Sequence, residues 1–159
     1  MIVLGLDLAS HTGYAVIVGG TEVRSSGTKT FKGKADKKFS DFSKWIDELL
    51  SMIVPDIVVY ERPHFRGYAA TAMGVGLSTL LRKACYEHGF PVIPVHTARL
   101  KKFATSYGKA NKEQMTKGIN TVFKDLKLET KENNDEADAL WLALYGSKLT
   151  NDEIRTLQH

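Results

Sequence analysis

The chain has 159 residues and a mass of 17.7 kDa, the size of one domain with one sizeable hydrophobic core. Hydrophobic residues make up 43 % and charged residues 25 %, which excludes intrinsic disorder and fibrous classes. No apolar run approaches the roughly 20 residues of a membrane-spanning helix, and no basic segment precedes the first apolar run as in a signal peptide. We therefore expect residues 1–159 to form one cytoplasmic domain that makes no membrane contact.

The positive charge is concentrated in two segments. The formal net charge is +4 and the pI is about 9.1. Residues 24–44 contain seven Lys or Arg against two Asp, and residues 99–117 contain six against one Glu. This distribution predicts a polyanionic partner, with solvated lysines on loops and helix faces as the equally acceptable alternative. The single cysteine, Cys85, excludes an internal disulfide and a cysteine-rich zinc site.

The first third of the chain predicts strands and then a helix. Residues 1–8, 12–18 and 21–31 are β-rich, and the turn signal Gly19-Gly20 precedes the third of them. We expect three antiparallel strands. Apolar residues at helical spacing then predict an amphipathic helix that ends at Pro55: Phe39, Phe42, Ile46, Leu49, Leu50 and Ile53.

The remaining elements alternate between strand and helix. We expect a buried strand over 57–60, a helix over 69–88 and a short edge strand over 91–95, since two prolines disfavour a central position. A third helix follows Asn111, with inward positions at Met115, Ile119, Val122, Phe123 and Leu126.

The end of the chain is predicted as a loop, a helix and a tail. Residues 129–134 read as a polar loop, a last helix runs from Asn134 to Gly146, and the polar tail over 147–159 is expected to fray. The fold class is therefore α/β: a mixed five-stranded sheet, three antiparallel strands followed by parallel strands, flanked by helices.

Four acidic residues occupy positions that could converge. Asp7 ends the first strand and Glu61 the fourth, so both emerge at one sheet edge if these strands are parallel neighbours. Asp135 and Asp138 are three residues apart and share one helix face. Clustered carboxylates need a counter-charge, and oxygen ligands suit Mg²⁺ or Mn²⁺. Two such ions can support phosphodiester hydrolysis.

Each acid also has an ordinary structural reading. Asp7 could pair with a lysine or with His11, and Glu61 with Arg62 or Arg66. Asp135 could be a residue favoured by the helix dipole. Spacing alone does not decide between these readings and convergence.

Three motifs carry a resemblance over roughly residues 1–146. They are Gly5-Leu6-Asp7-Leu8-Ala9 followed by Thr12-Gly13-Tyr14-Ala15, then Val58-Val59-Tyr60-Glu61, and finally Asp135-Glu136-Ala137-Asp138-Ala139-Leu140. The chain resembles RuvC-type Holliday junction resolvases of the RNase H-like superfamily, including bacteriophage members. The resemblance implies an RNase H-like fold and a homodimeric, Mg²⁺-dependent endonuclease without a small-molecule cofactor. Such an enzyme nicks two strands of a four-way junction and leaves 5′-phosphate and 3′-hydroxyl ends. Asp7, Glu61, Asp135 and Asp138 take the positions of its metal-binding acids.

Basic and aromatic residues extend the resemblance. Segment 108–114 is similar to the loop that carries a lysine of the catalytic centre, with Lys112 as the better match and Lys109 as the second. The expected DNA-binding residues are Arg62, His64, Phe65, Arg66, Tyr68, Lys101, Lys102, Lys109 and Lys117. Phe65 follows the second acid at the fourth position, whereas the family places an aromatic wedge at the third. This departure favours a broader branched-DNA specificity, and core packing is the alternative role for Phe65.

Other assignments remain open at this point. Gly74 and Gly76 permit close approach of another backbone, at a dimer contact or within the monomer. We expect His11 and His96 near the site edge in supporting roles. Two alternative functions are an RNA-processing nuclease and a junction-binding protein that does not cut.

Overall fold

The computed structural model describes residues 1–130 and 134–158. In that part of the chain the five strands are β1 (Ile2–Asp7), β2 (His11–Val18), β3 (Glu22–Thr30), β4 (Ile57–Glu61) and β5 (Val92–Val95). The six helices are α1 (Ala35–Ile53), α2 (Tyr68–His88), α3 (Thr97–Thr105), α4 (Lys112–Val122), α5 (Asn134–Ser147) and α6 (Asn151–Leu157). Among these, no helix is long and apolar enough to cross a membrane.

The strands form one mixed sheet in the order β3-β2-β1-β4-β5. Strands β1, β2 and β3 are antiparallel neighbours, whereas β1 pairs with β4 and β4 with β5 in parallel. The predicted fold class is confirmed, and β5 lies at the sheet edge as its prolines predicted. Because Leu6 pairs with Tyr60, the next residues along the two strands, Asp7 and Glu61, leave the sheet side by side.

Helices cover both faces of the sheet. Successive strand residues point to opposite faces, so Val3 belongs to one core and Leu4 to the other. The first core lies under α5 together with residues of α3, α4 and α6, and the second lies under α1 and α2. The resulting three-layer arrangement leaves the carboxyl ends of β1 and β4 open, where α/β sheets place their sites.

Helix α5 packs closely against the sheet because glycines face it. A Cβ at Gly5 would overlap the carbonyl oxygen of Ala139, and one at Gly13 would overlap the backbone of Asp135. Both contacts would fall below the 3.0 Å that real Cβ atoms respect. Two small residues in adjacent strands therefore set the height of α5 above the sheet.

Three predictions about the helices need correction. Helix α3 was not expected, because Leu100 is its only fully buried residue and an apolar stripe is therefore lacking. Helix α4 ends at Val122, which is 47 % exposed rather than inward. The prediction that the tail frays is wrong over Asn151–Leu157. A Thr150–Glu153 capping box begins α6, and the buried Ile154 anchors it. Residues 131–133 of the predicted loop lie outside the described residues.

Candidate active site

A cleft of about 610 Å³ opens at the carboxyl ends of β1 and β4. Asp7 and Glu61 enter it from the two strands, and Asp135 and Asp138 enter it from the first turns of α5. The structure thus brings together the four acids that the sequence placed at two strand ends and one helix face. Glu136 does not line the cleft and accepts a hydrogen bond from Ser26 Oγ at 2.6 Å.

Two of the four carboxyl groups, those of Asp7 and Asp138, have raised pKa values. Burial, and then the charges of Asp138, Glu61 and Asp135, raise the pKa of Asp7 well above its usual value. Burial, and then the Glu61 charge, raises the pKa of Asp138 to about 7. Desolvation and like charge both disfavour ionised carboxylates. The cleft is therefore a site of concentrated negative charge that a cation would relieve.

Lys112 supplies part of the positive charge that offsets these carboxylates. Its Nζ lies 4.0 Å from Asp135 Oδ1, and its ammonium lowers the pKa of both Asp7 and Asp138. The lysine is the first residue of α4, directly after Asn111, whose capping box with Gln114 fixes the helix start. Helix capping therefore places this ammonium at the cleft.

Glu61 is held by a residue that sequence reasoning missed. Thr97 Oγ1 donates a hydrogen bond to Glu61 Oε1 at 2.5 Å, while His64 Nδ1 lies 3.9 Å from the same oxygen. Within the described chain Glu61 forms no ion pair with Arg62 or Arg66, and Arg66 Nε donates instead to His64 Nε2 at 2.7 Å. Thr97 is the first residue of α3, so a prediction of that helix would have been the signal for Thr97.

The donor set suits a hard cation, although it is not a closed cage. Across residues 1–130 and 134–158, no three His, Cys, Asp or Glu side chains are placed to enclose a metal ion. No donor in this part of the chain hydrogen-bonds the Asp7 carboxylate. Mg²⁺ prefers oxygen ligands. A half-buried carboxylate that lies among other carboxylates therefore fits a ligand of Mg²⁺ better than a structural residue whose hydrogen bonds are satisfied within the fold.

The expected DNA-binding residues divide into three groups. Arg62, His64, Arg66 and Lys101 line the cleft. Phe65 and Tyr68 are 82 % and 89 % exposed, so the core-packing alternative for Phe65 is wrong. Lys102, Lys109 and Lys117 are exposed but do not line the cleft, and Lys117 Nζ lies 2.6 Å from Glu113 Oε1.

The cleft also includes a lysine from the first basic segment. Lys38 Nζ donates to Ser10 Oγ at 3.0 Å, and both residues line the cleft. The charge count over 24–44 predicted a polyanion contact but could not single out this residue. His11 lines the cleft. His96 does not line it, and its Nδ1 accepts from Ala98 N and caps α3.

The glycines of α2 have neighbours within the chain. A Cβ at Gly76 would lie 2.5 Å from the Phe39 ring, and one at Gly74 would lie 3.5 Å from Pro63 Cβ. Packing within the monomer accounts for Gly76. The dimer contact expected on this helix stays a prediction.

Comparison with known proteins identifies the family. The family model described as Crossover junction endodeoxyribonuclease RuvC matches residues 3–145. RuvC of Corynebacterium diphtheriae is 36 % identical over 106 residues, 64 % of this chain and 60 % of that protein. RuvC of Paenarthrobacter aurescens is 36 % identical over 111 residues, 69 % of this chain and 57 % of that protein. The match thus spans somewhat more than half the length of these two relatives.

A solved structure shows the same fold. The Thermus thermophilus RuvC in complex with Holliday junction substrate has a TM-score of 0.77 at 22 % identity, over 91 % of each chain. The family match covers strands β1 and β4 and helices α4 and α5, which carry Lys112 and all four cleft acids. This chain belongs to the RuvC family of crossover junction endodeoxyribonucleases.

Proposed function

We propose that this protein is a metal-dependent endonuclease that resolves four-way DNA junctions by hydrolysing phosphodiester bonds. Paired nicks would leave 5′-phosphate and 3′-hydroxyl ends. The observation that carries the proposal is the convergence of Asp7, Glu61, Asp135 and Asp138 in one cleft opposite Lys112. Membership of the RuvC family and the activity named for the relatives support it.

The four carboxylates are the proposed ligands of two Mg²⁺ ions, for which Mn²⁺ would substitute. Bound ions would activate a water molecule and stabilise the charge on the departing oxygen. Side-chain rotation would have to draw the carboxylates together, because they form no closed cage as placed. A bound cation would offset both the burial and the like-charge repulsion that raise the pKa values of Asp7 and Asp138.

Positively charged side chains would hold the DNA at this cleft. Lys112 lies beside Asp135 and can place its ammonium against the scissile phosphate. Lys101, Arg62, Arg66 and His64 line the cleft around it and suit phosphate contacts.

Residues outside the cleft would contribute to substrate selection. The exposed rings of Phe65 and Tyr68 are suited to stack on unpaired bases at the branch point. Lys102, Lys109 and Lys117 would contact phosphates farther from the cut. The shifted position of Phe65 supports a tolerance for other branched DNA.

A two-fold homodimer with a contact near α2 would present two cleavage sites to a pseudo-symmetric junction. The α2 surface includes the exposed Val75 and Tyr86, which could take part in such a contact. We also propose a cytoplasmic location and no small-molecule cofactor.

A cleavage assay tests the proposal. The purified protein is incubated with a labelled mobile four-way junction, a matched duplex and a structured RNA, in Mg²⁺, Mn²⁺ or EDTA. Asp7→Asn and Asp138→Asn serve as active-site variants, and Asp152→Asn, whose side chain is 95 % exposed on α6, serves as the control. Paired junction nicks that require metal and vanish only in the two active-site variants are expected.

Other outcomes would redirect the assignment. Tight junction binding without cleavage in any metal would contradict nuclease activity and indicate a binding protein. Preferential cutting of RNA would indicate a role in RNA processing.

A further inference from the structure

A second, smaller pocket lies beside the cleft and is lined by cationic side chains. Its volume is about 390 Å³, and its lining residues are Arg62, Pro94, His96, Arg99 and Leu157. Arg62 directly follows β4, Pro94 belongs to β5, His96 and Arg99 are the N-cap and a first-turn residue of α3, and Leu157 ends α6. The pocket therefore depends on two helices that the sequence did not predict.

The charges of this pocket are not balanced by acids. In the described chain no Asp or Glu lines it, and neither Arg62 nor Arg99 forms an ion pair with an acid there. Both arginine side chains are exposed. An arginine presents its donors in a planar fork that matches two oxygens of a phosphate group. Two such forks in one concave site favour a phosphate oxygen over a neutral ligand.

His96 can add a neutral donor. Its Nδ1 accepts the Ala98 backbone N–H at 3.2 Å, so the ring proton of the neutral imidazole is on Nε2. The capping contact thereby leaves Nε2–H as the donor that His96 offers to a ligand. The other two lining residues, Pro94 and Leu157, are apolar, so Arg62, Arg99 and His96 supply the cationic and donor groups of the pocket.

The pocket and the active-site cleft share a lining residue. Arg62 lines both, because it directly follows Glu61 at the end of β4. A nucleic-acid strand held at the carboxylates would pass Arg62, and a later phosphate of that strand would suit the second pocket. We infer that Arg62, Arg99 and His96 form a backbone-phosphate site that grips one arm of the branched DNA away from the cut. This inference rests on the proposed function.

Salt-dependent binding of a labelled four-way junction in EDTA tests it. Each phosphate contact contributes about 0.9 to the slope of log K against log salt concentration. Arg99→Gln should therefore reduce the magnitude of that slope by about one and weaken binding at low salt by about tenfold. Arg99→Lys should keep the slope but regain only part of the affinity, because an ammonium lacks the fork.

The control is Lys148→Gln, which removes the same charge. Lys148 is exposed and its Nζ approaches Gly20 at the β2–β3 turn, the end of the sheet opposite the cleft. Its affinity and slope should equal those of the unchanged protein. Melting temperatures of all variants should agree, which shows that binding differences do not come from unfolding.

Junctions with progressively shorter arms locate the contact. The unchanged protein should lose affinity at one arm length, and Arg99→Gln should lose none at that step because the contact is already gone. Equal slopes and affinities for Arg99→Gln and Lys148→Gln would overturn the phosphate site while leaving the proposed function intact. Failure of the unchanged protein to bind or cut any junction would overturn both.

Discussion

Gly13 of β2 and Asp135 of α5 are in direct backbone contact, so that a Cβ at Gly13 would overlap the Asp135 carbonyl group. The contact sets the position of the first turn of α5, and with it two of the four cleft carboxylates. Gly13→Ala should push this turn away from the sheet. We expect a loss of about 1–3 kcal/mol in the free energy of unfolding and weaker binding of divalent metal.

Thermal melts and calorimetric titration with Mn²⁺ measure both effects. Gly108→Ala is the control, because its Cβ would lie 3.6 Å from the nearest heavy atom, an ordinary contact. Unchanged metal affinity in Gly13→Ala would show that the turn does not position the ligands.

Stability without metal should depend on pH. The pKa of Asp138 is about 7 in the folded protein against the usual 3.8 of an aspartate side chain, so the folded state binds its proton more tightly. The stabilisation from this proton is complete below the unfolded-state pKa and is lost as pH rises through about 7. In EDTA, the melting temperature should therefore be higher at about pH 5 than at about pH 8.

Asp138→Asn should reduce the decline in melting temperature with rising pH, because the amide does not titrate. Asp152→Asn should leave it unchanged, since Asp152 is exposed. Divalent metal should raise the melting temperature more at the higher pH, where the carboxylates are ionised. A decline of the same size in Asp138→Asn and in the unchanged protein would contradict the assignment.

Thr97 should act by positioning Glu61. Thr97→Val removes the hydroxyl that donates to Glu61 Oε1 with little change in volume. We expect the metal concentration for half-maximal cleavage to rise about tenfold, the cost of a lost hydrogen bond to a charged group. Thr97→Ser should restore the original value, because it keeps the hydroxyl. A defect of equal size in both variants would indicate a packing role instead.

Lys112 should affect catalysis more than binding. Lys112→Met should reduce single-turnover cleavage by about 100-fold if the ammonium stabilises charge on the phosphate. It should also shift the pH profile of cleavage upward, since Lys112 lowers the pKa of Asp7 and Asp138. Junction affinity in EDTA, measured alongside, should fall only by the contribution of one phosphate contact. A profile that does not move would place Lys112 outside the electrostatics of the cleft.

The sequence motifs were sufficient to predict the fold class and the four acidic residues of the cleft. Asp7 and Glu61 follow apolar strand runs, and Asp135 and Asp138 share a helix face, so periodicity alone placed them at predictable ends. Asn111 was recognisable as a helix cap, which located Lys112 at the start of α4. Local patterns of this kind depend on neighbouring residues and are readable without a tertiary structure.

Other features arise from contacts between distant residues. Helix α3 has one fully buried side chain, so its periodic signal was too weak, and Thr97 was missed with it. Lys38 reaches Ser10 across 28 positions of the chain. The cationic pocket combines residues from four elements, including α6.

By itself, then, the sequence determined which side chains end which strands and helices, because hydrophobic periodicity and capping act over a few residues. The tertiary structure decided which of those ends meet. Burial and like charge raise the pKa values of Asp7 and Asp138 only after β1, β4 and α5 are packed together. Packing also brings Arg62 and Arg99 to one pocket. Desolvation and electrostatic interaction depend on distance in space rather than along the chain, so neither can be read from the sequence alone.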